Sequence, residues 1–127
     1  MNWAEQVNIY CERLDASFWS EPLNAVSNAA FIIAAVVCGV KARRTRHNDP
    51  LTMLLVTILF GIGVGSFLFH TFATRWSGLA DTVPILLFIL VYLFAATHRY
   101  LKMPWWAAAM APFAFMAFAV AFVRVWG

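Results

Sequence analysis

Four apolar runs alternate with short polar stretches along the chain. Pro22 to Val40, Leu51 to His70, Gly78 to Thr97 and Pro104 to Val123 each hold about 19 or 20 residues, one crossing of a ~30 Å hydrocarbon layer at a rise of ~1.5 Å per residue. Backbone in lipid must satisfy its own N–H and C=O groups, so such runs are helices or strands of a closed barrel. Barrel strands alternate polar and apolar positions, and these runs do not. The pattern predicts an all-α, polytopic membrane helix bundle. It has a polar segment at 1–21 and four transmembrane helices at 22–40, 51–70, 78–97 and 104–123, within one domain spanning 1–127. Pro22 stands at a plausible first helical position. No apolar stretch follows a basic start within residues 1–21, so no cleavable signal peptide is expected.

Composition strengthens this picture. Of 127 residues, 63% are apolar and 12% charged, whereas a soluble domain carries about 25% charged residues. So short a chain has no use for a soluble core of that size, which excludes an ordinary cytosolic domain and a disordered chain. The net charge of +3 comes from cations in the loops between apolar runs. It therefore reports topology and not a nucleic-acid surface. Lys41, Arg43, Arg44, Arg46, Arg99 and Lys102 lie on one side, and Arg13, Arg75 and Arg124 on the other. The richer side is cytoplasmic by the positive-inside rule, which puts the N-terminus outside. Cys11 and Cys38 fall at opposite ends of the bilayer and are not expected to pair.

Ionisable groups inside spans are costly and call for a reason. Ser66 and His70 are four apart, on one face of the second helix. Asp81 sits near the start of the third, at similar depth, across a connection of roughly seven residues at this span assignment. Three uses fit these residue types. A Ser–His–Asp relay would make Ser66 the nucleophile, although a regular helix lacks the exposed, strained turn of a nucleophile elbow. A metal site would use His70 as ligand, Asp81 as proton carrier and Ser66 as hydrogen-bond donor. A purely structural trio would join two helices. Gly61, Gly63 and Gly65 precede Ser66, and the Gly61/Gly65 pair lets another helix approach closely.

The run GVGSFLFHTFATRWSGLADTVPI resembles the signature of the alkaline ceramidase family, among the seven-helix membrane hydrolases related to the progestin and adiponectin receptors. A serine, a histidine four on, an aspartate eleven further and a proline three beyond that are Ser66, His70, Asp81 and Pro84. YCER and EPLNAVSNAAF are similar to the family's start, through Cys11, Glu12, Glu21, Asn24, Ser27 and Asn28. The resemblance implies a zinc amidase acting on ceramide or a related N-acyl lipid. His70 would be a zinc ligand, with Asp81 and Ser66 completing the catalytic site. It also implies calcium, held by Glu12, Glu21 and the Tyr10 carbonyl, oxygen ligands of the kind calcium prefers. The chain departs from that calcium pattern. Ile9 stands where the family has an aspartate, Leu14 where it has an asparagine, and Glu12 and Glu21 are closer together, while Asn8 and Asp15 offer replacement oxygens.

The family's remaining zinc ligands are two histidines, four apart on its last helix, and this sequence has no such pair. A catalytic zinc uses three protein ligands, so the chain alone is expected to be inactive. It reads as an N-terminal portion of a seven-helix hydrolase, completed by further helices or by a partner chain. The alternative is a catalytically inactive binding or scaffold protein of the membrane. A small dimeric transporter is disfavoured, because the first and fourth spans carry no ionisable group in their interiors.

Overall fold

A computed structural model describes residues 2–47 and 49–126 as six helices: α1 (Pro22–Ser27), α2 (Ala29–Arg44), α3 (Pro50–Phe72), α4 (Arg75–Arg99), α5 (Trp105–Ala108) and α6 (Met110–Trp126). They make four lengths apolar and long enough to cross a membrane: Pro22–Arg44, Pro50–Phe72, Arg75–Arg99 and Trp105–Trp126. A helical stretch covers each expected span. Most grow beyond their apolar limits because polar flanking residues act as helix ends. Lys41, Arg43 and Arg44 form the last turn of α2, where cations meet the negative end of the helix dipole. Asp49 caps α3, accepting from the Thr52 N–H at 3.2 Å ahead of a proline at the first helical position.

The chain forms two compact units, Met1–Leu86 and Leu87–Gly127. In the first, α2 and α1 pack along α3. The first span breaks at Asn28, which is buried and donates its side-chain amide to the Asn24 carbonyl at 2.8 Å. Gly63 lets α2 come close: a Cβ there would lie 2.6 Å from Ile32 Cγ1 and 3.1 Å from its backbone nitrogen. Much of the remaining apolar surface, including Ile33, Val36, Val37 and Phe60, points outward, as a lipid-facing surface does.

The connection between the second and third spans is far shorter than its polar composition suggests. Only Ala73 and Thr74 separate α3 from α4, with Ala73 left-handed at φ 46° and ψ 49°. The polar residues that read as a loop are helix ends. Thr71 Oγ1 donates back to the Phe67 carbonyl at 2.9 Å, and the Thr74 N–H donates to Ser77 Oγ at 2.9 Å. The N-terminal segment covers this turn. Val7 N–H donates to the Ala73 carbonyl at 2.7 Å, Arg75 N–H to Glu5 at 3.1 Å and Trp76 N–H to Trp3 at 3.2 Å. These bonds satisfy groups that a helix terminus leaves without intrahelical partners.

In the second unit, the turn after α4 passes through Lys102, at φ 52°. His98 Nδ1 donates to the Met103 carbonyl at 2.8 Å, which gives that histidine a local structural role.

Candidate active site

The site grows from one face of α3. Ser66 and His70, one helical turn apart, are each only 7% exposed. His70 Nδ1 lies 2.6 Å from Glu21 Oε2, and the Tyr10 ring packs edge-on against the imidazole with centroids 4.7 Å apart. Glu21 immediately precedes Pro22 and is fully buried. Its other oxygen, Oε1, accepts from Arg13 Nε at 2.5 Å. Arg13 closes the circuit, donating from Nη2 to the His70 carbonyl at 3.1 Å. The histidine is thus held by its ring and by its backbone. A carboxylate oxygen facing Nδ1 accepts from that nitrogen, an arrangement that leaves Nε2 as the ring's outward atom.

The approach of α4 brings Asp81 to the depth of Ser66. A Cβ on Gly65 would fall 1.9 Å from the Ala80 carbonyl oxygen and 3.2 Å from the Asp81 nitrogen, so only glycine permits this contact. Pro84, inside α4, has no N–H to offer the Ala80 carbonyl four residues earlier. That oxygen is therefore free of its usual helical donor where it meets Gly65. Gly61 lies on the same face, with its hypothetical Cβ 3.9 Å from Pro84 Cβ. Asp81 Oδ1 is buried and takes no hydrogen bond among the described residues. Asp81 also lines a cavity of about 590 Å³ whose walls include Trp3, Ile9, Tyr10, Phe69 and Leu79.

The helices bearing Ser66, His70 and Asp81 therefore meet, but the carboxylate bound to His70 is Glu21. Among the described residues Ser66 makes no hydrogen bond to His70, as a relay would require. The carboxylate of Glu12 caps the first span, accepting from the N–H groups of Leu23 at 2.8 Å and Asn24 at 3.2 Å. The Tyr10 carbonyl accepts from the Arg13 N–H at 3.1 Å. All three groups expected at calcium are engaged inside the protein, and no cluster of three His, Cys, Asp or Glu side chains suited to a metal occurs among the described residues. Arg13 is the site residue that sequence reasoning passed over. Its signal was a lone cation between Glu12 and Asp15, counted only as an outer-loop charge. Nearby, hydrogen bonds from the Ser17 side chain and then from its N–H hold the exposed Asp15 carboxyl below its ordinary value of 3.8.

The bundle thus holds a buried carboxylate–histidine pair and, beside a cavity, an aspartate oxygen with no hydrogen-bond donor among the described residues. The chain belongs to the ceramidase family, whose model, described as Ceramidase, matches residues 2–126. Membership makes its class ceramide-hydrolase-like, a class of amide-bond hydrolases associated with lipid substrates and a membrane setting. Comparisons with curated proteins and with solved structures gave no match.

Proposed function

We propose that the protein is a zinc-dependent amide hydrolase that cleaves ceramide or a related N-acyl lipid. The observation that carries this reading is the Glu21–His70 pair. A histidine that donates Nδ1–H to a carboxylate and presents Nε2 is the usual supported form of a zinc ligand. The chain's residues fit zinc as part of a site. His70 supplies one ligand, and the two further histidines that the resemblance implies have no counterpart pair among the residues of this sequence. His47 lies before α3 and so roughly 30 Å along the helix axis from His70, and His98 is bound to its own turn.

Zinc would supply Lewis acidity toward the amide carbonyl and lower the pKa of water. The chain's own groups do the rest. The Asp81 carboxylate takes the proton of the attacking water and delivers it to the amide nitrogen as the C–N bond breaks, leaving a fatty acid and an amine. Ser66 Oγ–H donates to the oxygen that gains negative charge. The largely apolar walls around Asp81 receive part of the lipid. The unequal cation distribution supports an extracytoplasmic N-terminus and site.

The test uses protein isolated from its native membranes. Near-stoichiometric zinc, with fatty-acid release from an N-acylated sphingoid base, is expected. Both should be lost in His70→Ala. Hydrolysis that survives complete zinc removal overturns the reading. Zinc retention by a folded His70→Ala protein removes His70 as a ligand, and a zinc-free inactive protein favours the scaffold role.

A further inference from the structure

The guanidinium of Arg13 sits in a cage made only of oxygens. Its side chain is 3% exposed. Nε donates to Glu21 Oε1 at 2.5 Å, Nη1 to the carbonyls of Asp15 at 3.2 Å and Ser17 at 3.4 Å, and Nη2 to the carbonyl of His70 at 3.1 Å. One carboxylate and three carbonyls from separate places in the sequence thus surround a single positive charge. An array of carboxylate and carbonyl oxygens is what a hard divalent cation selects, and here a covalently attached cation already fills it. The His70 carbonyl belongs to the last turn of α3, where unpaired carbonyls concentrate negative partial charge.

We propose that Arg13 is a built-in cation that takes the place of a divalent ion in the N-terminal segment. It ties the 13–17 loop, the start of the first span and the end of α3 together without calcium. The groups that resemblance assigns to calcium do not fit it in this chain. Glu21 is neutralised by Arg13 and bound to His70, Glu12 caps the first span, and the Tyr10 carbonyl is turned to the Arg13 N–H. A calcium ion at the Glu21 carboxylate would meet the guanidinium that already donates to it and be repelled. The planar fork of arginine suits the role, because four bonds in different directions leave from one rigid group.

The inference stands apart from hydrolysis, and so does its test. In lipid nanodiscs, the unmodified protein is expected to bind no radioactive calcium and to show the same thermal midpoint in EGTA as in millimolar calcium. Calcium binding, or a midpoint raised by several degrees, overturns the proposal. Arg13→Ala is expected to melt lower and to be restored by millimolar guanidinium, but not by the same concentration of sodium. A folded Arg13→Ala protein that ignores guanidinium also overturns it. If that variant does not fold, Arg13→Lys decides alongside the unmodified protein. It keeps the charge but not the fork, so it is expected to melt below the unmodified protein and to stay indifferent to calcium, and calcium binding by either protein overturns the proposal.

Discussion

Glu21 Oε2 and His70 Nδ1 lie 2.6 Å apart although 49 positions separate the residues in sequence. The bond joins the entrance of the first span to the last turn of α3, with Arg13 behind Glu21 at 2.5 Å. Removing one member leaves a charge buried and uncompensated, which costs about 3–5 kcal/mol in comparable sites. Glu21→Gln should therefore lower stability on that scale, read as a fall in the thermal midpoint in detergent. An unchanged midpoint would show that the triad contributes little to the fold.

Asp81 should show the opposite balance. Its unpartnered, buried Oδ1 carries a desolvation cost of about 1 kcal/mol or more. Asp81→Asn is expected to raise the thermal midpoint while abolishing amide hydrolysis in the native-membrane protein. A variant that is less stable than the parent would mean the carboxylate has a stabilising partner.

Two glycines on one face of α3 should respond differently to the same change. Gly65→Ala drives a methyl group into the Ala80 backbone at 1.9 Å, an overpacking that costs typically about 1–3 kcal/mol and sometimes more. Gly61→Ala meets only Pro84 Cβ at 3.9 Å, an ordinary contact, and gains up to about 1 kcal/mol of helix propensity. Comparing the two midpoints checks the α3–α4 approach. Equal responses would contradict it.

The 13–20 loop should loosen in acid. The folded Asp15 carboxyl lies below 3.8 because Ser17 hydrogen-bonds to its charged form. A lowered folded value stabilises the loop above the unfolded pKa, and that contribution disappears as pH falls through the folded value. Protection of the Ser17 amide, whose N–H donates to Asp15 Oδ1 at 2.8 Å, measured relative to its intrinsic exchange rate at each pH, should hold down to about pH 4 and fall below it. Asp15→Asn should remove that acid-dependent loss of protection.

Several features were open to reading because they depend on local pattern. Apolar length alone defines a crossing, so the four spans were visible, and the four-residue spacing of Ser66 and His70 put both on one face. The Gly61/Gly65 pair likewise announced a close helix, and α4 is that helix. The short α3–α4 turn was not legible, because Thr71, Thr74 and Ser77 are equally at home in a loop or at a helix end. Only their bonds to one another and to the preceding turn distinguish the two.

What the sequence determined by itself was the solvent this chain requires and the helical form it takes there, since both follow from hydrophobic length and the backbone's need for hydrogen bonds. Together with the family's motif, it also marked Ser66, His70 and Asp81. Tertiary structure decided the partners. It paired His70 with Glu21 in preference to Asp81, put Arg13 into the oxygen cage, and left Asp81 Oδ1 without a donor. These outcomes depend on where segments far apart in sequence meet, and no spacing along the chain encodes the distance between two buried charges.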